Sequence, residues 1–197
     1  MRTRFLLLIV VLLLLGACSA SEQKAPAAQT EFRPTATIKD IMDSIVDPSA
    51  DELWEAVSTT VDATGIHDRF PQTDDEWKAA RRNAIRLIEG SNLLLISPRQ
   101  VAKPGEKSEN PGIELEPHEM EALINQDRAT FTKLAHGLHD AVMVSLNAID
   151  AKDKEALLNS GDGIDQACEN CHVKYWYPNE AQTQAEQRQA PEPPKGQ

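Results

Sequence analysis

The sequence predicts an all-α fold, an antiparallel four-helix bundle. Three observations lead there. Apolar residues recur at spacings of three and four along four separate segments, and no stretch alternates apolar and polar long enough to read as a strand. The first and second segments, and likewise the third and fourth, are joined by short connections, which favours antiparallel neighbours. Once the two ends are set aside, about 145 of the 197 residues remain, enough for one domain with a core of its own.

The first predicted helix covers residues 35–65, with Ile38, Ile41, Met42, Ile45 and Val46 on one face. Asp47-Pro48 interrupts it, and Ser49 with Glu52 reads as a capping box, so the helix is expected to be kinked or split into two collinear pieces. Leu53, Ala56, Val57 and Thr60 then resume the stripe up to Gly65. The second helix follows Thr73, its first turn enriched in acid (Asp74, Asp75, Glu76), and it ends before Pro98. Trp77, Ala80, Ala84, Ile88 and Leu95 form its buried stripe. The third runs over residues 117–151 and is lined by Leu123, Ile124, Phe131, Leu134, Leu138, Ala141, Val142 and Ile149. The fourth runs over residues 153–177 and stops at Pro178, with Leu157, Ile164, Cys168, Cys171 and Tyr175 on one face. Between the second and third lies a long aperiodic segment, residues 97–116, with Pro98, Pro104, Gly105, Pro111 and Gly112. A loop of that length in a compact domain is usually functional or disordered.

The ends have a different character. Arg2 and Arg4 precede an unbroken apolar run of 11 residues, Phe5 to Leu15, the length of a signal-peptide core and too short for a comfortable membrane span. Residues 1–17 are therefore expected to be a secretory signal. Leu15-Gly16-Ala17-Cys18 resembles the lipobox of bacterial lipoproteins, in which cleavage leaves a lipid-bearing Cys at the N-terminus. An ordinary cleaved signal with an incidental Cys is the alternative. Residues 18–34 read as lipidated Cys18 followed by a flexible tether, and residues 179–197 as a disordered tail. The chain carries a net charge of −11, and loss of residues 1–17 leaves 18 basic against 31 acidic residues, near −13. That balance argues against nucleic acid and anionic lipid surfaces and permits a basic partner protein.

Two of the three cysteines form a local pair followed by His. Cys168-Glu169-Asn170-Cys171-His172 is C-x-x-C-H, the attachment signature for c-type haem. The spacing lets two thiols reach the two vinyl groups of one porphyrin while the adjacent imidazole turns to the iron. The export signal agrees, because bacterial haem attachment requires export. Three other readings compete. A redox C-x-x-C would want a strand–helix setting early in the chain. A structural zinc needs further ligands, and no second Cys/His cluster exists. A plain disulfide, normal in an oxidising compartment, leaves His172 without a role.

A C-x-x-C-H on the last helix and a single Met on the first resemble the class II cytochromes c, the cytochrome c′ and cytochrome c-556 group, over residues 35–177. The resemblance implies one haem c per chain, held near one end of the bundle, with His172 as proximal ligand. Low-spin members take a Met from the first helix as sixth ligand, and Met42 matches in helix and approximate position. High-spin members place an apolar residue there and leave the iron five-coordinate. The chain departs from the pattern at Trp176, where members usually carry a basic residue, in its longer 97–116 loop and tail, and at Asp47-Pro48.

Height along the bundle gives a second argument for Met42. His172 lies about 19 residues into the fourth helix, so the matching level on an antiparallel first helix lies about 20 residues before its end, at Met42. His136 falls at a similar height on the third helix, but about 155° from its apolar face. It, His139 at the flank, His118 and His67 are expected at the surface. Leu93, Leu94, Leu95, Phe131 and Leu134 are expected as core around the haem level, and Trp77 at the opposite end. The loop 97–116 is expected at the haem end, where Arg99, Lys103 and Lys39 are candidates to pair with the haem propionates.

No Ser/His/Asp set, Gly-rich phosphate loop or interpretable carboxylate pair appears, so an enzyme is not expected. Electron transfer through His/Met-ligated iron is the leading expectation. A five-coordinate protein binding nitric oxide or carbon monoxide, and a haem-free interaction lipoprotein, are the alternatives. The redox partner stays unnamed and a homodimer is left open. Ser19 after Cys18 points to the outer membrane rather than the inner, with the domain facing the periplasm. Cys18→Ser should move the protein from the membrane to the soluble fraction, read by fractionation of whole cells; a wild-type protein that is already soluble would refute the anchor.

Overall fold

The structure, a computed structural model, describes residues 32–178. The signal, Cys18, the tether as far as residue 31 and the tail 179–197 lie outside the described residues. The described chain is mostly helical, with one small two-stranded sheet. Among the described residues no helix is long and apolar enough to cross a membrane.

Helix α1 (Ile38–Ile41) runs through a π turn (Met42–Val46) into α2 (Asp47–Ala56) without interruption. No non-helical residue separates the pieces at Asp47-Pro48, and the irregularity falls one turn earlier, in the π turn. Proline lacks the amide of a helical bond and its ring clashes with the carbonyl four residues back. The chain widens just before it instead, and the Asp47 amide bonds five residues back to the Met42 carbonyl. The Ser49–Glu52 capping box does not form either, because Ser49 is buried inside α2. The box forms at the true start: Thr37 Oγ1 accepts the Asp40 amide and Asp40 accepts the Thr37 amide, each at 3.0 Å.

The helix ends at Ala56 rather than at Gly65, which corrects the all-α expectation. Strand β1 (Ser58–Asp62) pairs antiparallel with β2 (Gly65–Arg69), with Val61 opposite Ile66. Thr59, Thr60 and Val61 are β-branched and favour extended backbone. The turn is held by Asp62, whose Oδ1 accepts the Thr64 amide at 2.6 Å, and Gly65 takes a φ of +134°. The hairpin escapes detection by periodicity because neither face is buried: Val61 and Ile66 are 75% and 71% exposed. Without a buried face nothing imposes alternation.

Helix α3 (Asp74–Leu94) starts at the expected Thr73 cap, closed by Glu76. The third predicted helix is two, α4 (Pro117–Gln126) and α5 (Arg128–Ala151). Asp127 leaves helical geometry (φ −134°, ψ 64°), and its side chain caps α5 by accepting the Thr130 amide at 3.0 Å. Helix α6 (Lys154–Tyr175) starts at Asp153, which accepts the Ala156 amide at 3.0 Å.

The long helices pack antiparallel in chain order. Gly90 of α3 meets Ile45 and Val46. Arg81 of α3 pairs with Asp150 of α5 at 2.8 Å. Ser145 of α5 and Ser160 of α6 share a buried hydrogen bond of 2.7 Å, and Phe131 and Tyr175 meet edge to face at the other end of the same interface. Helix α6 packs broadly on α5 and only slightly on α2. The core holds Ile41, Val46, Leu53, Trp77, Ile88, Phe131, Val142, Leu157, Ile164 and others of the expected stripes, together with Leu87, which was not among them.

The segment 97–116 is ordered by its hydrogen bonds. Carbonyls of Gln100 and Val101 accept the Ile38 and Lys39 amides, each at 2.9 Å, and the Leu115 amide donates to the Trp176 carbonyl at 2.8 Å. Arg99 donates Nε to the Leu93 carbonyl at 3.1 Å and a second guanidinium nitrogen to the Ala36 carbonyl. These bonds anchor the segment at the α1 start and the α6 end. Arg99→Met, which keeps the stem and removes the donors, should lower folding stability by about 1–3 kcal/mol, read as a shift in urea midpoint with an unchanged slope. An unshifted midpoint would show that the two carbonyls find water instead.

Candidate haem-attachment site

Cys168, Cys171 and His172 stand in the last two turns of α6 at relative positions 0, 3 and 4. Helical residues three and four apart are neighbours, so the three side chains share one face. All three are half-buried, and both cysteines are free thiols packed against the core cluster. Burial pushes the Cys168 thiol up to about 11, with Asp165 and Asp47 adding to the effect. Burial likewise raises Cys171 to about 11. His172 is lowered from its ordinary value by burial, against a smaller upward pull from Glu169 and Asp47. Burial thus disfavours the charged form of all three groups.

Aromatic rings hold the imidazole. Trp176 meets it edge-on at 5.0 Å between centroids and Tyr177 at 5.9 Å. Tyr177 is itself fixed by a 2.6 Å bond from its hydroxyl to Glu169. The departure at Trp176 therefore places an indole against the imidazole of the motif. Tyr175 is buried, and its hydroxyl donates at 3.5 Å to the Asp127 carbonyl, which also accepts the Phe131 amide at 3.2 Å.

The Trp54 ring lies 3.5 Å from the Cβ position at Gly161, which joins α2 to α6 and sets their register. Equal counting along the antiparallel pair puts Asp47 opposite Cys168. The electrostatic reach of Asp47 to both Cys168 and His172 agrees with that register. Met42 is half-buried and packs against the core. The level of Met42 was reached from sequence by assuming a helix ending at Gly65; the hairpin ends it sooner, at Ala56, so that count does not apply.

Compared with known proteins, the chain matches no family model, no curated protein and no solved structure.

The other sequence-named residues are distributed as follows. His67, His118 and His136 are exposed, and His139 lies 3.0 Å from Asp140. Among the described residues no three His, Cys, Asp or Glu side chains converge as an ion site. Two cavities, of about 130 Å³ beside Phe70 and about 330 Å³ beside His118, include none of Cys168, Cys171, His172 or Met42 in their linings. The three cationic candidates already hold protein partners. Arg99 spends its guanidinium on backbone carbonyls, Lys39 pairs with Glu109 at 2.9 Å, and Lys103 pairs with Asp40 at 2.6 Å. Sequence reasoning missed the two lysine pairings because each joins α1 to a loop 60 or more residues away.

The donor set fits a covalently attached haem: two free thiols one turn apart for the vinyl carbons, and an imidazole on the same face for iron. It fits a closed zinc site less well, because a fourth protein ligand is missing among the described residues.

The same end of the molecule carries a pH signature. Asp40 is held at about 2, below its ordinary 3.8, first by the Lys103 hydrogen bond and then by the Thr37 amide. A folded-state value below the unfolded one means that the stabilisation is present above pH 3.8 and lost as pH falls towards 2. The thermal midpoint should therefore drop across that window, and Asp40→Asn should shrink the drop, read by circular dichroism at constant ionic strength. An identical pH profile in the variant would assign the acid sensitivity to other carboxylates.

Proposed function

We propose that this chain is a periplasm-facing c-type cytochrome, lipid-anchored through Cys18, with one haem c bound by Cys168, Cys171 and His172. Its function is electron transfer with Met42 as the second iron ligand. The helices are read as an antiparallel four-helix bundle: α1 through α2, α3, α4 with α5, and α6. The observation that carries the proposal is the C-x-x-C-H trio itself, two free thiols and an imidazole on one half-buried helical face. The class II cytochromes c resemble the chain in the same two features.

In this reading the roles divide among residues of the chain. Cys168 and Cys171 would each form a thioether, which ties the group to α6. His172 would offer one ring nitrogen to iron while Trp176 and Tyr177 hold the ring plane. Met42 would offer its sulfur from the opposite helix. The bound haem would supply a one-electron ferric/ferrous couple. Core side chains such as Phe131, Leu94 and Ile164 exclude water from this side of α6. The acidic surface suits a basic partner, and charge complementarity would act mainly on its rate of encounter.

Exported in a strain able to attach haem, the protein should keep peroxidase stain on a denaturing gel. Cys168→Ser or Cys171→Ser should weaken the stain and the double variant should abolish it. The ferric spectrum should be low-spin with a weak far-red sulfur-to-iron band, and Met42→Ala should convert it to high spin and open ferrous iron to carbon monoxide. An apo mass from that strain would sink the cytochrome reading. A high-spin wild type, unchanged by Met42→Ala, would leave the cytochrome and remove the electron-transfer ligand set in favour of gas binding.

A further inference from the structure

The imidazole of His172 belongs to a closed set of three rings. Its centroid lies 5.0 Å from that of Trp176 and 5.9 Å from that of Tyr177, and those two lie 5.3 Å from each other. Both contacts of the imidazole are edge-on, at interplanar angles of 90° and 61°. Aromatic rings prefer such edge-to-face meetings. The outer torsion of a histidine side chain is broad when nothing restrains it. Two edge-on neighbours restrain it.

Each neighbour is itself tied down. The Trp176 amide donates to the His172 carbonyl at 2.8 Å, and the Trp176 carbonyl accepts the Leu115 amide at 2.8 Å. The Tyr177 amide donates to the same His172 carbonyl at 3.0 Å. Its hydroxyl donates to Glu169 Oε2 at 2.6 Å, eight residues back along the chain. Tyr177 lies past Tyr175, the last buried residue of the described chain, and is anchored at both its backbone and its tip. His172 falls between the two ends of that clasp.

The partner chosen by Glu169 is informative. Metal-binding histidines are commonly oriented by a carboxylate or carbonyl that accepts their second ring N–H. Glu169 stands three residues before His172, a helical neighbour able to fill that role. The fold gives its carboxylate to Tyr177 instead, and among the described residues no hydrogen bond reaches a ring nitrogen of His172. Orientation thus passes to ring contacts. An O–H···O⁻ bond of this length belongs to the charge-assisted class, so it holds the Tyr177 ring against the imidazole more firmly than a neutral pair would.

The geometry points to a latch: Glu169 and Tyr177, closed across His172, fix the plane of the imidazole that is to bind iron. Both are positioning residues. Glu169, the first variable residue of C-x-x-C-H, thereby acquires a role within the motif. The inference rests on the haem reading with His172 as iron ligand and is independent of Met42.

The test uses the full-length exported protein with haem attached, examined as its ferric cyanide adduct. Cyanide makes the iron low-spin whatever stands opposite His172. In that adduct the spread of the haem methyl proton resonances reports the plane of the proximal imidazole. Tyr177→Phe keeps the ring and removes the donor. Glu169→Ala removes the acceptor, and Glu169→Gln removes the charge while keeping a carbonyl acceptor. Tyr177→Phe and Glu169→Ala should each narrow the methyl spread, because an imidazole sampling several planes averages the shifts. The double variant should narrow it no further than either single change, and Glu169→Gln should keep most of the parent's spread. Haem stain and thermal midpoint should stay near the parent's. Tyr177→Phe lies outside the attachment motif and is decisive by itself: a parental spread in that variant overturns the latch. Additive effects in the double variant, or Glu169→Gln behaving as Glu169→Ala, overturn it as well, since Glu169 would then act by its charge. A lowered midpoint with an unchanged spread makes the pair structural and overturns the positioning role. A parent without haem overturns the haem reading itself, and its missing stain separates that failure from a failure of the latch.

Discussion

The end of the molecule that carries the C-x-x-C-H face depends on pairing the backbone groups that helix termini leave open. A helix cannot satisfy its first amides or its last carbonyls, and buried ones cost free energy unless another element supplies partners. Here α1 begins, α3 ends, α4 gives way to α5 and α6 ends within reach of one another. The Gln100 and Val101 carbonyls take the first amides of α1. Arg99 takes carbonyls from Leu93 and Ala36, and Arg128 takes that of Leu95 at 3.0 Å. The Leu115 amide closes the carbonyl of Trp176. An aperiodic segment of this length is therefore part of the fold's end wall, and it holds in register the two helices that bear Met42 and His172.

Electrostatics around the trio has one sign. Asp47, Asp165 and Glu169 are the charges acting on Cys168 and His172, and each opposes formation of a thiolate while favouring a positive charge. Burial acts in the same direction on the thiols and in the opposite direction on the imidazole. The thiols are consequently poor candidates for thiolate chemistry, unlike reactive cysteines, whose surroundings are electropositive. This agrees with a pair meant for stable covalent attachment. In the proposed cytochrome, the same carboxylates would favour ferric iron and methionine would favour ferrous, so the potential would reflect their balance.

Helix extents were legible wherever one face is buried and a cap is spelled out in the chain. Thr73 with Glu76 and Asp153 before the last helix marked true starts, and Trp77, Ala84, Phe131, Val142, Leu157 and Ile164 were read as core and are core. Misreadings occurred where a local signal had an equal rival. Ser49–Glu52 has the composition of a capping box, but Thr37–Asp40 has the same logic and also meets a loop that can pair its amides. Asp127 sits inside a continuous apolar period, and its side chain's capping of the Thr130 amide favours leaving the helix there. The exposed hairpin had no period to betray it.

The sequence by itself determined the chemistry of the site: two thiols and an imidazole at helical positions 0, 3 and 4 must share a face wherever the helix lies. It also determined a dominantly helical fold, since its apolar residues recur at helical spacing. Tertiary structure alone decided what those side chains meet. That Arg99, Lys39 and Lys103 are engaged within the protein follows from contacts across 60 or more residues, which no local pattern encodes. That Pro48 is accommodated by a π turn and not by a break in the helix follows from Gly90, which opens space on α3 for the widened turn. Proline states that a regular helix cannot continue unchanged; only the packing of the neighbouring helix selects which irregularity takes its place.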